Sequence, residues 1–81
     1  MRNIPTFEKP LEIRIALHMA GKVLRLENAR RFTDKLNAAK DMKTYISSFR
    51  NARHDFSFSD DFMTYTNELM AEIKPVLARA A

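Results

Sequence analysis

The stretch from Leu11 to Leu26 constrains the fold most, because its apolar residues fall at every second position over its first half. That alternation is typical of a β-strand with one buried face. Gly21 is the chain's only glycine and favours a reversal there. With Ala20 and Gly21 as a two-residue loop, Leu17 faces Leu24 across the strands. The pattern therefore predicts a β-hairpin over residues 11–27.

The same stretch has a helical alternative. At 3.6 residues per turn its apolar residues form two stripes rather than one, and a helix that is apolar over much of its circumference suits a buried position. The first stripe contains Leu11, Ile15, Met19 and Val23, and the second contains Ile13, Leu17, Ala20 and Leu24. In this case the chain is an all-α three-helix bundle.

The remaining segments predict an extended arm and two helices. Pro5 and Pro10 disfavour regular structure in residues 1–10. Asn28 is a reasonable N-cap for a helix over residues 28–52, and Ser59 for one over residues 60–74, which Pro75 should end or kink. We therefore expect a single α+β domain spanning residues 1–81, in the order ββαα, with both helices packed on one face of the hairpin.

Composition narrows the function classes. The chain of 81 residues contains no cysteine, which excludes a disulfide framework and a thiolate metal site and favours a cytoplasmic protein. No apolar run reaches the length that spans a membrane.

The charge of the chain is unevenly distributed. The net charge is +4, with 12 Lys/Arg against 5 Asp/Glu in residues 1–54 and 2 Lys/Arg against 5 Asp/Glu in residues 55–81. A basic body with an acidic tail could attract nucleic acid, an acidic protein or a second copy of the chain head to tail.

No motif indicates catalysis. His54 and Asp55 lie near Ser57 and Ser59, as in a hydrolase triad, but nothing in the pattern fixes the geometry that a nucleophile and its base require. Two histidines and scattered carboxylates lack the spacing of a zinc or calcium site. We therefore expect a non-enzymatic protein with no cofactor and no metal.

The leading hypothesis is a small protein-interaction module or regulator. Methionines recur at binding surfaces because their side chains are adaptable. Unpaired hairpin edges invite another strand, which favours a homodimer as well as a protein partner. Small chains of this kind also suit a phage or mobile-element protein that acts on host machinery. The predicted interaction residues are Met63, Met70 and Leu77 on the last helix, with His18 and Val23 in the hairpin.

The alternative is a nucleic-acid-binding protein. Lysine and arginine on one helix face could neutralise phosphates, although no helix-turn-helix or zinc-finger pattern accompanies them. The candidate residues are Arg30, Arg31, Lys35, Lys43, Arg50 and Arg53.

Overall fold

The computed structural model describes residues 7–51 and 57–80, and this part of the chain forms three α-helices. Helix α1 spans Pro10–Asn28, α2 spans Phe32–Asn51 and α3 spans Asp60–Arg79. The described residues contain no β-strand. The predicted ββαα fold and its hairpin over residues 11–27 are therefore wrong, and the all-α alternative is the correct fold class.

The hairpin prediction fails because α1 is apolar on two sides. Ile15, Met19 and Val23 lie four residues apart and are buried against the rest of the bundle. The second stripe, by contrast, is exposed to solvent: Ile13 is 40%, Leu24 44% and Leu17 62% exposed. Two neighbouring helical stripes interleave in sequence and so produce the alternation that is usually typical of a strand.

Gly21 is part of the helix rather than of a turn. It has no positive φ angle, it is exposed, and a Cβ atom built on it would meet nothing within 4 Å. A glycine inside a helix costs about 1 kcal/mol relative to alanine. This cost is small beside the burial of the Ile15–Met19–Val23 stripe, which is why α1 continues through it.

The helix ends also differ from the predicted ones. Pro10 is the first residue of α1, a position where the missing N–H would have no partner in any case. Asn28 ends α1 and does not cap α2. Ser59, in contrast, is confirmed as the N-cap of α3, because its Oγ accepts a hydrogen bond from the N–H of Phe62 at 3.2 Å.

Helix α3 continues through Pro75 to Arg79. Proline lacks the N–H that would bond to the carbonyl of Ala71. Both Ala71 and Pro75 are exposed, so water can satisfy that carbonyl and the helix tolerates the proline. The two turns that follow Met70 are consequently helical, and they form one side of the groove described below.

Helix α2 is the central element, since both α1 and α3 pack against it. Ala38 and Ala39 are fully buried and small, which allows a neighbouring helix to approach closely. Large buried side chains complete the core. They are Met42, Ile46 and Phe49 from α2, Ile15, Met19 and Leu26 from α1, Phe62, Leu69 and Ile73 from α3, and Phe7 ahead of α1.

Candidate protein-binding groove

An open groove of about 660 Å³ runs between α2 and α3. Within the described part of α2, Lys43 lines the groove. Five residues of α3 form the rest of the described lining: Met70, Ala71, Lys74, Leu77 and Ala78. The groove therefore follows the C-terminal half of α3 over more than two helical turns.

The sequence of α3 explains why this surface is apolar. Phe62, Leu69 and Ile73 occupy the buried face, while Met70 and Leu77, seven residues apart, lie on an adjoining face. Met70 and Leu77 are partly buried and pack against the core. Ala71 and Ala78, also seven residues apart, are exposed. Because their side chains are single methyl groups, the groove over this part of α3 stays open.

The groove carries positive charge. Lys43 and Lys74 contribute to its lining from opposite helices and are both exposed. None of the described lining residues is acidic. Long lysine side chains can lay their methylene stems along apolar surface while the ammonium remains in water. The result is an apolar floor between two cations.

Other cations lie along the same pair of helices. Arg50 is seven residues from Lys43, and its Nη2 donates a hydrogen bond to Oδ1 of Asn67, seven residues before Lys74 on α3. Arg79 lies over the ring of Phe32, 4.5 Å from the guanidinium carbon to the ring centroid. Arg50 and Arg79 thus add positive charge beyond the groove, while α3 also carries the exposed acidic residues Asp60, Asp61 and Glu68.

The structure brings together two of the five predicted interaction residues. Met70 and Leu77 both line the groove, whereas Met63 is half-buried and is not among the described lining residues. His18 is exposed on α1, and its ring lies 4.8 Å from that of Tyr45. Val23 is buried in the core and is not available to a partner. The homodimer prediction loses its support from hairpin edges, because α1 is a helix.

The predicted nucleic-acid residues do not form one surface. Arg30, Arg31 and Lys35 are exposed near the start of α2, and Lys43 is exposed at the groove. Lys43 is twelve residues from Arg31, which corresponds to roughly 18 Å along a helix. Arg50 is half-buried and bonded to Asn67. Arg53 lies outside the described residues.

A polar cluster joins α1 to α2 away from the groove. Lys22 Nζ lies 2.6 Å from Oδ2 of Asp41 and 5.0 Å from the centroid of the Tyr45 ring. The hydrogen bond from Lys22 is the main reason that the pKa of Asp41 lies below its ordinary value of 3.8. Partial burial opposes this, and the positive charges of Lys22, Arg25 and His18 lower the pKa further. Burial raises the pKa of Tyr45 above its ordinary value of 10.0.

The residues considered for catalysis are only partly described. His54 and Asp55 lie outside the described residues, and Ser59 caps α3. In residues 7–51 and 57–80, no three His, Asp or Glu side chains come together in a group that could hold a metal ion.

Sequence reasoning missed the charged part of the groove. Lys74 lies four residues after Met70, and Ala71 and Ala78 follow Met70 and Leu77 by one position. Spacings of three, four and seven along α3 could therefore have placed these five residues on one face of the helix. The predicted helix ended at residue 74, so Leu77 was placed on that face only through its seven-residue spacing from Met70, and Ala78 was left out.

Comparisons with known proteins add no identification: no family model, no curated protein and no solved structure matches the chain. Among the described helices, none combines the length and apolar character needed to cross a bilayer.

Proposed function

We propose that this protein is a small, non-enzymatic interaction module that docks on a protein partner through the groove between α2 and α3. The groove itself is the observation that supports this function. It is apolar, open and bounded by Lys43 and Lys74, and three of its lining residues, Ala71, Lys74 and Ala78, are exposed on α3. A role as a regulator in the cytoplasm belongs to the same proposal.

The composition of the groove favours binding rather than catalysis. Methionine and leucine present an adaptable apolar surface, and the described lining residues offer two ammonium groups but no carboxylate, hydroxyl or imidazole. Helices bind in apolar grooves of this kind by inserting one face. Burying Met70 and Leu77 under a partner would add to the apolar surface removed from water, which stabilises a complex.

Capture of a partner by an immobilised full-length chain tests this function. Ala71→Arg places a long side chain in the groove at an exposed position, so that it blocks docking without disturbing the core. Asn37→Arg makes the same change in charge and a comparable change in bulk at an exposed position of α2 away from the groove. Circular dichroism should show equal helix content in both variants.

The expected result is a nuclease-resistant protein that the native chain and Asn37→Arg capture from a lysate and that Ala71→Arg does not. Capture that disappears on nuclease treatment, and weakens steeply with salt, would instead support nucleic-acid binding through the basic residues of α2. Equal capture by all three chains would exclude the groove as the docking site.

A further inference from the structure

We infer that the occupant of the groove is an acidic amphipathic helix of another protein, rather than a second copy of this chain. This inference rests on the proposed function, since it names the partner of the same site. Shape, charge and the chain's own exposed surfaces each contribute to it.

The shape of the groove fits a helix. Its floor extends from Met70 to Ala78, or about 12 Å along α3 at 1.5 Å per residue. Two turns of a partner helix cover that distance and present apolar residues at positions i, i+3, i+4 and i+7. The groove is open, whereas sites for small molecules enclose about 70–90% of their ligand. An apolar face on a larger partner therefore fits this surface better than an isolated small amphiphile does.

The charge of the groove selects an acidic helix. A partner that inserts its apolar face brings the residues at the edges of that face close to Lys43 and Lys74, which come from opposite sides of the interface. Glutamate or aspartate at those edges pairs with both ammonium groups, while lysine or arginine is repelled. Like charges brought together in an interface suppress the wrong partner more than opposite charges raise affinity.

The most apolar exposed helix face of a second copy is basic along one edge. The exposed apolar face of α1 comprises Ile13, Leu17 and Leu24. Arg14, His18 and Arg25 each follow one of these residues by one position and therefore share one edge of the face. Inserting α1 into the groove of another copy would place this basic edge beside Lys43 or Lys74. The opposite edge carries the exposed carboxylate of Glu27, so the charges of this face match the groove on one side only and fit it less well than a helix that is acidic at both edges.

Binding of synthetic peptides to the full-length chain tests this inference. One helical peptide carries leucines at i, i+3, i+4 and i+7 with glutamates at both edges, and its twin carries lysines in place of those glutamates. The chain is used in three forms: native, Lys43→Glu/Lys74→Glu, and Lys35→Glu/Lys40→Glu. The last form is a matched control, because Lys35 and Lys40 are exposed on α2 and do not line the groove.

Fluorescence anisotropy of labelled peptides measures the affinity. We expect the glutamate peptide to bind the native chain and the control equally, and to bind Lys43→Glu/Lys74→Glu about tenfold more weakly. The lysine peptide should show the reverse order, with its tightest binding to Lys43→Glu/Lys74→Glu. That exchange of preference is a result that loss of stability could not produce.

Three outcomes would overturn the inference. If both peptides bind equally and Ala71→Arg blocks both, the groove is a docking site and the proposed function stands, but its partner is not acidic. If neither peptide binds, the groove does not accept an amphipathic helix. If the chain self-associates and Ala71→Arg makes it monomeric, the occupant is a second copy.

Discussion

The carboxylate of Glu12, in the first turn of α1, accepts a hydrogen bond from the backbone N–H of Ser59 at 2.6 Å and one from the Ser59 hydroxyl at 3.1 Å. Glu12 is 1% exposed, and Ser59 in turn caps α3. Nearby, the ammonium of Lys9 donates to the carbonyl of Ser57. A buried carboxylate at the positive end of α3 therefore fixes the start of α3 against the start of α1.

Removing this carboxylate should destabilise the bundle. Glu12→Ala leaves the N–H of Ser59 without its acceptor and opens a cavity, and we expect a loss of about 2 kcal/mol in the free energy of unfolding. Glu12→Gln retains one acceptor oxygen and should lose less. Urea unfolding monitored by circular dichroism measures both values. Equal stability of Glu12→Ala and the native chain would show that this contact does not hold the two helices.

Replacing Gly21 with alanine should stabilise the protein. The residue is helical and exposed, and an added Cβ meets nothing within 4 Å. We expect a gain of about 1 kcal/mol, since alanine has the higher helix propensity. Thermal unfolding of Gly21→Ala measures this gain. A lower melting temperature would indicate that residue 21 adopts the turn that the strand interpretation requires.

Two leucines form a matched pair for testing the core. Leu69 on α3 is 0% exposed and Leu17 on α1 is 62% exposed. Leu69→Ala should cost about 2–5 kcal/mol, because it removes buried methyl groups and leaves a cavity. Leu17→Ala should change stability by about 0.5 kcal/mol or less. Chemical denaturation of the two variants compares them, and similar losses would contradict the assignment of one α1 stripe to solvent.

The Lys22–Asp41 pair should make stability depend on pH in the acid range. The folded pKa of Asp41 lies below its ordinary value of 3.8, so its contribution is present above that pH. The contribution is lost as the pH falls through the lowered folded pKa, because the unfolded chain binds the proton first. Asp41 is partly exposed, so we expect only about 0.2–1 kcal/mol.

Urea midpoints at pH 5 and at pH 2 measure this effect. Lys22→Ala should lower the midpoint at pH 5 and reduce the difference between the two pH values. Arg25 Nη1, 4.0 Å from the same carboxylate oxygen, should preserve a small part of the dependence. An unchanged difference in Lys22→Ala would assign the acid dependence to other carboxylates.

The sequence predicted two of the three helices but not the first. Ser59 and the acidic residues after it define the start of α3 through local chemistry that needs no tertiary information. Helix α1 could not be assigned in the same way. Its apolar residues fit both the two-residue period of a strand and the 3.6-residue period of a helix. Only the packing of Ile15, Met19 and Val23 in the core favours the helix over the strand.

The groove was only partly predictable. Met70 and Leu77 were identified from their spacing on one helix. Lys43 belongs to another helix, and no local pattern states which face of α2 meets α3. The contact between these faces is a tertiary property, as the hydrogen bond from Arg50 to Asn67 illustrates. Sequence reasoning had assigned Lys43 to a nucleic-acid surface for this reason.

Backbone amide shifts of the full-length chain, recorded while the glutamate peptide is added, test the central claim most directly. If the peptide binds in the groove, we expect the largest changes in amide shift at Lys43 on α2 and at Ala71, Lys74 and Ala78 on α3. Shifts confined to Ile13, Leu17 and Leu24 would place binding on the exposed face of α1 and would contradict the assignment of the groove as the docking site.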